Sequence, residues 1–293
     1  MNEGTSDSEP LSKRTIDDRK TRLRGFVDEK GESLVHEIDR STVEKYINKP
    51  AMVGNRKNKA IAKGQASNRT KDCRLSIFRT FFNFCENKEY IKKDAIPTAR
   101  ITKFQRKRAP KREVLSIEEC KSLVESAAKF DEGSFLPYIV ISMFVGLRNN
   151  EMKKLNWSNI DLSADKKGYG RIRVTAQVSK TNSNRTALLP PNAIQLLKPH
   201  APSKENSGTK LYPVNFNKKK KQLKELAGIS WPNNCLRHTA GTAWYNKCRN
   251  LREVAEQLGN SEEISREFYI EQVVWDKRVD EFFEIGTTPS KSV

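Results

Sequence analysis

The sequence predicts a mainly α protein with a small β-hairpin or three-stranded sheet in its second half. Most segments of the 293 residues place apolar side chains at helical spacing, with charged side chains between them. One segment, residues 171–178, alternates apolar and polar side chains instead, as a half-buried strand does. Its apolar positions are Ile172, Val174, Ala176 and Val178. No internal repeat is visible, so one large or two modest domains are expected.

The first half predicts a helical domain over about residues 13–102. Residues 1–12 carry no periodic apolar pattern and are expected to form a disordered tail. Helices are predicted at 14–28, from Asp39–Ser41 to Pro50, and at 67–87, where phenylalanines form an apolar stripe suited to a core. Residues 53–64, between the last two helices, predict a basic loop.

The second half predicts a domain over about residues 113–286, followed by a short tail at 287–293. It opens with Ser116 and Glu119, which can satisfy each other's amides as a capping box at a helix start. The further predicted elements are a buried helix over 136–145 that stops at Gly146, a helix over 147–157, the strand over 171–178, a polar turn over 180–184, a return strand over 186–189, a helix from Pro190 and Pro191, and helices from the lysine run 218–221 to Phe283.

Charge is the strongest indication of a partner. Lys and Arg number 55 against 36 Asp and Glu, which gives a net charge of +19 and a sequence pI near 9.7. Because each neutralised phosphate releases condensed counterions, this balance favours a nucleic acid, and double-stranded DNA is the expected partner. A basic ribosomal protein or a membrane-surface protein is the alternative at this stage.

Two basic segments are candidates for contact with the DNA backbone. Residues 103–112 hold six basic residues and no acidic ones, so we predict an interdomain linker that also touches phosphates. A solvated linker without a DNA role is the alternative. The helix over 67–87 carries arginines on its outer faces, where they could lie along a phosphate backbone. The DNA-binding candidates are Arg69, Arg74, Lys103, Arg106, Lys107, Arg108, Lys111 and Arg112.

Cysteine and histidine usage gives no sign of a metal site or another cofactor. The five cysteines form no C-x-x-C pair, and the three histidines lie far apart in sequence. The first ten residues are polar and acidic, unlike a secretory leader. The longest apolar run, Leu136–Leu147, is too short to span a bilayer. We therefore expect a cytoplasmic protein with reduced thiols and no membrane partner.

Three sequence strings place reactive side chains beside apolar anchors. They are GLRNNEMKKLNW around Arg148, LRHTAGT around Arg237, and LGNSEEISREFY, which ends at Tyr269. A guanidinium is always charged and offers a rigid fork of donors, so two arginines could stabilise a pentacoordinate phosphorane. Tyr269 could supply a phenolate nucleophile, and Lys180 could protonate a leaving oxygen. No cluster of acidic metal ligands accompanies these groups, so a metal-free mechanism is expected.

At these residues the chain resembles the tyrosine recombinase, or phage integrase, family. The resemblance runs from about Ser116 to Phe283, with four motifs in the family's order. They are Gly146-Leu147-Arg148 with Glu151, Met152, Leu155 and Trp157; Ser179-Lys180-Thr181 with Arg185; Leu236-Arg237-His238-Thr239; and Leu258-Gly259-Asn260-Ser261 with Tyr269. The resemblance implies a helical core-binding domain and a tyrosine recombinase-like catalytic domain, which together hold a duplex from opposite faces.

Two positions depart from the family pattern. The family usually has histidine three residues before the second arginine, where this chain has Asn234. It usually has histidine or tryptophan after Leu-Gly, where this chain has Asn260. Asparagine can hydrogen-bond a phosphate or the tyrosine oxygen, but it cannot shuttle a proton near neutral pH. Losing one acid–base group costs roughly 10² to 10⁴ in rate, so we expect a slower enzyme, or one in which His238, a lysine or a water takes that role.

Neighbours of the arginines have open roles. Glu151 either orients Arg148 through an ion pair or is a helix-surface acid. His238 follows Arg237, but sequence neighbours on a helix point about 100° apart, so a buried structural histidine is the favoured interpretation. The lysines at 218–221 fit a solvated face and a DNA contact equally well.

The resemblance implies a site-specific DNA recombinase or integrase that cuts and rejoins strands through a 3′-phosphotyrosyl intermediate. The catalytic candidates are Arg148, Lys180, Asn234, Arg237, Asn260 and Tyr269. One alternative is a catalytically weak or inactive recombinase-like DNA-binding protein. The other is a strand-passage enzyme similar to a type IB topoisomerase.

The end of the chain reverses the charge trend, since residues 250–293 hold ten acidic residues against five basic ones. Its last predicted helix places Trp275, Val279 and Phe282 at helical spacing. The resemblance implies that such a helix can dock on a neighbouring protomer, so a homo-oligomer is expected, as a tetramer on DNA. Packing on its own domain is the alternative.

Overall fold

The computed structural model describes residues 13–53, 61–104, 113–179, 184–269 and 278–287. The chain divides into two compact units, Met1–Ala109 and Pro110–Val293. The fold class is mainly α with a small sheet, as the sequence predicts. Some predictions fall outside the described residues: the tail at 1–12, linker residues 105–112, turn residues 180–183, Trp275, and the chain after residue 287.

Helices dominate the first unit. Its elements are α1 (Lys13–Lys30), α2 (Arg40–Asn48), β1 (Ala51–Val53), β2 (Ile61–Lys63) and α3 (Asn68–Asn87), with 3₁₀ turns at Val35–Glu37 and Lys93–Ala95. Two helices begin on side-chain caps, since Asp39 accepts from the N–H of Thr42 and Ser67 accepts from that of Thr70. The predicted loop at 53–64 is wrong in part, because β1 and β2 satisfy their backbone amides by antiparallel pairing.

The core of the first unit lies among α1, α2 and α3. Val43, Ile47 and Phe82 are fully buried there. Phe26 meets Phe78 edge-on, with ring centroids 4.8 Å apart. The phenylalanine stripe of α3 is therefore core, as predicted.

Helices also surround a three-stranded sheet in the second unit. The helices are α4 (Ile117–Lys129), α5 (Leu136–Val140), α6 (Asn149–Met152), α7 (Pro191–Leu197), α8 (Phe216–Ala227), α9 (Cys235–Cys248), α10 (Leu251–Leu258), α11 (Glu262–Tyr269) and α12 (Val279–Glu284). The strands β3 (Ile160–Asp161), β4 (Gly170–Val174) and β5 (Arg185–Leu189) pair antiparallel in that order. Short 3₁₀ turns lie at Phe130–Gly133, Trp157–Asn159, Lys198–His200 and Lys204–Asn206. The predicted capping box of Ser116 and Glu119 opens α4.

The buried apolar segment predicted as one helix over 136–145 changes pitch midway. It is α-helical to Val140 and continues as a π-helical turn over Ile141–Val145, in which the N–H of Gly146 donates to the carbonyl of Ile141 at 3.0 Å. The carbonyl of Phe144 accepts from the indole N–H of Trp244 on α9 at 2.8 Å. This bond fastens the π turn to the helix that carries Arg237.

The helix predicted over 147–157 is much shorter than expected. Only α6 forms, because Arg148 is extended and the Glu151 carboxylate turns back to accept its backbone N–H. The chain then leaves the helix, and Asn156 pairs with Lys210 in a β-bridge. Because its own backbone is extended, Arg148 is the N-cap of α6 rather than a residue inside a helix.

The strand predicted over 171–178 ends early, at Val174. The carbonyl of Thr175 accepts from the N–H groups of both Val178 and Ser179, which turns the chain. The alternation therefore holds for Ile172 and Val174 and breaks at the turn.

The buried side chain of Gln257 on α10 holds strand β5 in place. Its Oε1 accepts from the N–H of Leu188 at 2.8 Å, and its Nε2 donates to the carbonyl of Leu188 at 2.9 Å. The same Nε2 donates to the carbonyl of Val145 at 3.3 Å. One amide thus joins β5, α10 and the π turn.

Gly146→Ala is expected to lower the free energy of unfolding by about 3 kcal/mol, which urea denaturation would measure. Gly146 has a φ of +79°, and a Cβ there would lie 2.5 Å from Cδ2 of Leu258 and 2.9 Å from Cβ of Ala240. The substitution therefore combines left-handed backbone strain with overpacking at the end of the π turn.

The matched control is Gly228→Ala. Gly228 has a φ of +65°, and a Cβ added there would meet no atom within 4 Å. Gly228→Ala should lower the free energy of unfolding only by the cost of placing alanine in left-handed backbone, about 1 kcal/mol. Equal losses in the two variants would contradict the close approach of Leu258 and Ala240 to Gly146.

Candidate active site

Arg148 stands at the N-terminus of α6, directly after the π turn. Its Nη1 donates to Oε1 of Glu151 at 3.0 Å, and its backbone N–H donates to Oε2 of the same carboxylate at 2.9 Å. Its Nη2 bonds the carbonyl of Gly259 and, at 3.0 Å, Oδ1 of Asn260. The side chain is 22% exposed, so the guanidinium is oriented by the protein and still reaches solvent.

Arg237 is the third residue of α9 and is held mainly by backbone carbonyls. Its Nη1 donates to the carbonyl of Gly146 at 2.5 Å, and its Nη2 donates to that of Leu258 at 3.0 Å. Nη2 also donates to Oδ1 of Asn260 at 2.7 Å. Carbonyls orient a guanidinium without a full opposing charge, so Arg237 keeps its positive charge for an anion.

Asn260 joins the two arginines. It follows α10, where Gly259 caps the helix with a φ of +68°. Its single oxygen, Oδ1, accepts from Arg148 and Arg237 together. The structure therefore brings three of the predicted catalytic residues into one cluster, with an amide where the family usually has a ring nitrogen.

Glu151 is fully buried and belongs to an ion-pair network rather than to the helix surface. Arg185 donates to it through both arms of the guanidinium, at 3.0 Å to Oε1 and 2.8 Å to Oε2. Burial would raise the pKa of Glu151, but the hydrogen bonds and charge of Arg185, followed by those of Arg148, outweigh burial and hold this pKa below its ordinary value. Glu151 is therefore a carboxylate, which orients Arg148 as one of the two sequence interpretations expects.

Sequence reasoning placed Arg185 in a motif but did not assign it a role. It is the first residue of β5, on the same face as the buried Ala187 and Leu189. An arginine on the inward face of a strand needs a buried acid as its partner. The sequence shows an arginine at an inward-facing strand position, but it does not show which acid is its partner, since Glu151 is 34 residues away.

Tyr269 and Lys180 lie at the limits of what the structure describes. Tyr269 is the last residue of α11, the helix that follows Asn260 after one intervening residue. Lys180 lies outside the described residues, between Ser179 and the start of β5. The positions of these two reactive groups relative to the arginines therefore stay predictions.

Asn234 and His238 flank Arg237 on α9. Asn234 is exposed at the helix start with a φ of +63°, and its side chain makes no capping hydrogen bond. His238 is buried, and its ring meets that of Phe268 edge-on, with centroids 6.0 Å apart. Asparagine adopts the left-handed backbone more readily than most residues, which gives a physical reason for Asn234 at this helix start.

The DNA-binding candidates of the first unit differ in their surroundings. Arg69 and Lys103 are exposed. Arg74 donates to the carbonyls of Ile47 at 2.9 Å and Lys49 at 2.5 Å, and so caps the C-terminus of α2. The remaining candidates, Arg106, Lys107, Arg108, Lys111 and Arg112, lie outside the described residues.

The lysine run at 218–221 is partly engaged within its own unit. Lys219 pairs with Asp131, and the ammonium of Lys220 lies 4.8 Å from the centroid of the Trp231 ring. Burial lowers the pKa of Lys220. These two lysines therefore help to fold the unit, whichever surface Lys218 and Lys221 face.

The apolar face of α12 packs on its own unit. Phe282 is fully buried against Phe144, with centroids 4.9 Å apart, and Phe283 meets Trp244 at 5.4 Å. Val279 is also buried. This is the alternative that the sequence left open for the final helix.

Two kinds of feature are missing from the part of the chain that the structure describes. No group of three or more His, Cys, Asp or Glu side chains there is arranged to hold a metal ion. None of the helices there combines the length and the apolar character needed to cross a membrane.

The comparison with protein families is decisive. The model of the phage integrase family matches residues 113–272, which is more than half of the chain. The chain belongs to the phage integrase family. It is a tyrosine recombinase, an enzyme that cuts and rejoins DNA strands.

Solved structures of other tyrosine recombinases share the fold of this recombinase at low sequence identity. The site-specific recombinase XerH bound to its difH substrate is 21% identical, with a TM-score of 0.62 over 87% of this chain and 76% of that chain. A lambda integrase dimer bound to a COC′ core site is 13% identical, with a TM-score of 0.62 over 92% of this chain and 93% of that chain. A lambda integrase tetramer on a Holliday junction is 13% identical, with a TM-score of 0.60 over 93% and 76%. No curated protein matches the chain in sequence.

Asn260→Asp is expected to slow DNA cleavage by this recombinase by about 100-fold. The variant keeps the shape and the acceptor oxygen of the residue. It adds a negative charge at the atom that lies 3.0 Å from Nη2 of Arg148 and 2.7 Å from Nη2 of Arg237, so it offsets the charge that a phosphate would meet. Single-turnover cleavage of a nicked duplex, at saturating protein, measures the effect.

Asn206→Asp is the control, since it adds the same charge at an exposed 3₁₀ turn. It should cleave at the wild-type rate. An Asn260→Asp variant that also kept the wild-type rate would show that the two arginines do not meet the phosphate.

Proposed function

We propose that this tyrosine recombinase is a site-specific recombinase or integrase in which Tyr269 attacks the scissile phosphate. The observation that carries the proposal is the cluster of Arg148 and Arg237, joined through Oδ1 of Asn260. It provides two oriented, charged forks at one place, which suits the non-bridging oxygens of a phosphodiester. The helix that ends at Tyr269 begins two residues after Asn260.

The proposed cleavage step exchanges one phosphodiester bond for another. The phenolic oxygen of Tyr269 forms a bond to phosphorus as the bond from phosphorus to the 5′ oxygen breaks. Lys180 gives a proton to that 5′ oxygen, so the products are a 3′-phosphotyrosyl link and a 5′-hydroxyl. A 5′-hydroxyl from the partner duplex then attacks the link and reseals the strand. The link conserves the bond energy, so the reaction needs no nucleotide cofactor.

Charge at the cluster supports this step. Among the described residues, the guanidinium groups of Arg148 and Arg185 pair with one carboxylate, that of Glu151, and a third guanidinium, that of Arg237, binds Asn260 beside Arg148. The excess positive charge can stabilise the negative charge that develops on the phosphorane. We assign the remaining proton transfer, from the phenol of Tyr269, to water, because neither Asn234 nor Asn260 can accept a proton near neutral pH.

The position of Lys180 in the sequence supports its role as the acid. Strands β4 and β5 pair as far as Val174 and Arg185. Beyond them, the N–H of Ala176 donates to Oδ1 of Asn184 at 2.7 Å, which closes the base of the turn. In sequence, Lys180 lies five residues before Arg185, the first residue of β5, which binds Glu151.

We further propose that residues 13–102 form the core-binding domain, that 103–112 form a basic linker along the DNA, and that 113–286 form the catalytic domain. Arg69, Lys103 and the basic linker residues would contact phosphates, and the net charge of +19 supports such contacts. Arg74 would contribute to DNA binding mainly by holding the end of α2 in place. The five free cysteines suit a protein that acts in the cytoplasm.

A tetramer on DNA is the proposed assembly. Lambda integrase, which shares the fold, forms a tetramer on a Holliday junction. Because Phe282 and Phe283 are buried within their own unit, a contact of α12 with a neighbouring protomer would use its exposed residues or the flanking segments.

Trapping the covalent intermediate tests the proposal. A library of nicked duplexes with randomised centres is incubated with the full chain, and DNA that stays attached after denaturation is sequenced. We expect one preferred sequence, attachment through the 3′ end of the cleaved strand, and a protease fragment with the DNA on Tyr269. Attachment through a 5′ end, or to another residue, would contradict the mechanism.

Two other outcomes separate the alternative functions. Tight DNA binding with no adduct across the library would indicate an inactive recombinase-like binding protein, an alternative that Asn234 and Asn260 motivate. Relaxation of supercoiled plasmid without any preferred site would indicate an activity like that of a type IB topoisomerase.

A further inference from the structure

Arg185 is the main charge partner of Glu151. It makes a two-armed ion pair, with N–O distances of 3.0 and 2.8 Å, whereas Arg148 reaches Glu151 with one guanidinium arm. The Arg185 side chain is 12% exposed and that of Glu151 is 0% exposed. The pair is therefore largely shielded from water, where a charge–charge interaction is strong and an unpaired charge is costly.

We propose that Arg185 is a positioning residue for the cleavage site: it neutralises Glu151, so that Glu151 orients Arg148 without cancelling its charge. The catalytic part of this inference rests on the proposed function, in which Arg148 binds the scissile phosphate. With Arg185 present, the network of Arg148, Glu151 and Arg185 carries one net positive charge. Without it, Arg148 and Glu151 form a neutral pair, and Arg148 has little attraction left for a phosphate.

Packing around Arg185 ties this charge to the rest of the cluster. A Cβ at Gly259 would lie 2.7 Å from both Cζ and Nε of Arg185, so the guanidinium lies directly against the Gly259 backbone. The carbonyl of Gly259 in turn accepts from Nη2 of Arg148. Arg185 thus supports two of the three acceptors that orient Arg148, the Glu151 carboxylate and the Gly259 carbonyl.

Arg185 also anchors strand β5 to the cluster. It begins β5, and the amide of Gln257 holds β5 through both backbone groups of Leu188. Strand β5 is therefore fastened at Leu188 by an amide and at Arg185 by an ion pair.

The pH dependence of stability reports on the pair without any DNA. Among the residues that the structure describes, the charged groups that face Glu151 are Arg148 on its own helix and Arg185 on β5, while Arg237 on α9 shares Asn260 with Arg148. The pKa of Glu151 is below its ordinary value in the folded chain, so the pair stabilises the fold at neutral pH and this stabilisation is lost as the pH falls through that folded pKa. Because Arg185 is the largest cause that lowers the pKa of Glu151, we expect its removal to raise that pKa, so that protonation at acid pH relieves an unfavourable buried charge.

The test compares Arg185→Met with the double variant Arg185→Met/Glu151→Gln, and with Arg252→Met as a matched control. Arg252 also pairs with a glutamate, Glu256, but its side chain is 76% exposed. We expect Arg185→Met to lower Tm by about 10 °C at pH 8 and by less than half of that at pH 5.5. The double variant should recover most of the lost Tm at both pH values, and Arg252→Met should leave Tm unchanged.

Cleavage of a nicked duplex gives the second readout. Arg185→Met should cleave about 100-fold more slowly than wild type at pH 8 and about 10-fold more slowly at pH 5.5, because protonation of Glu151 frees Arg148. The double variant should cleave faster than Arg185→Met at pH 8, and its deficit relative to wild type should be the same at both pH values, since no unpaired carboxylate is left to titrate. The affinity of Arg185→Met for the duplex should change much less than its cleavage rate, because contacts elsewhere on the chain still hold the DNA.

A Tm loss that is the same at both pH values and is not recovered by Glu151→Gln would overturn the inference and leave Arg185 as ordinary packing. A cleavage rate of Arg185→Met that falls only in proportion to its folded fraction would also overturn the inference. If the wild-type chain cleaves no duplex, the proposed function fails, and the Tm comparison still decides whether Arg185 neutralises Glu151.

Discussion

Replacing Tyr269 with phenylalanine is expected to abolish the covalent protein–DNA adduct while leaving DNA binding within about twofold of wild type. The variant lacks only the oxygen that would bond to phosphorus, and no other group is proposed as nucleophile. The arginine cluster lies at α6, α9 and the segment after α10, so the charge that we propose to hold a phosphate stays in place. Denaturing gels of nicked duplexes measure the adduct, and fluorescence anisotropy measures binding.

Tyr90→Phe is the matched control, because Tyr90 is 63% exposed in the first unit. It should form the adduct at the wild-type rate. A Tyr269→Phe variant that still formed the adduct would move the nucleophile to another residue and end the assignment, whatever its DNA affinity.

Replacing Arg237 with lysine is expected to slow cleavage by about 10² to 10³-fold, the usual cost of one oriented donor at a developing oxyanion. Lysine keeps the charge but not the fork. Its single ammonium cannot hold the carbonyls of Gly146 and Leu258 and the oxygen of Asn260 in the plane that Arg237 uses. Single-turnover rates at saturating protein separate this loss from any change in affinity.

Arg252→Lys provides the comparison, since it makes the same exchange at an exposed site and should cleave normally. A normal rate in Arg237→Lys would mean that point charge alone suffices there. The carbonyl acceptors around Arg237 would then serve the fold rather than the chemistry.

Much of the fold follows from local rules that act over a few residues. The helices capped by Asp39, Ser67 and Ser116 begin where the sequence predicts them, and such a cap needs only a short polar side chain and nearby amides. The end of the buried segment at Gly146 was predicted for a similar reason, since only glycine adopts that backbone easily. Apolar spacing then placed the phenylalanines of α3 in a core.

Elements were mispredicted where a long-range contact decides the structure. The helix after Arg148 looks continuous in sequence, yet its exit depends on Asn156 pairing with Lys210, which is distant in sequence. The strand expected to reach residue 178 ends at Val174, because the Thr175 carbonyl takes two turn hydrogen bonds. The π turn depends in the same way on the Trp244 indole, 100 residues from the carbonyl it binds.

The candidate site shows the same division. Motif order singled out Arg148, Arg237 and Asn260, and the structure joins them. The role of Asn260 as a shared acceptor, and that of Arg185 as the partner of Glu151, required three-dimensional distances, because periodicity predicts which face a residue occupies but not which group it meets.

Gln257 has a consequence for how copies of this chain can associate. Strand β5 lies at the edge of its sheet, and an open edge offers backbone groups to which a strand of another chain can add. At Leu188 both of those groups are already bonded to the Gln257 amide. Sheet extension at this position is therefore blocked by a side chain of the same chain, so copies of this chain cannot associate by β-augmentation at Leu188. Gln257→Leu would expose it, and slow aggregation of concentrated protein, rather than loss of the fold, is the defect to look for.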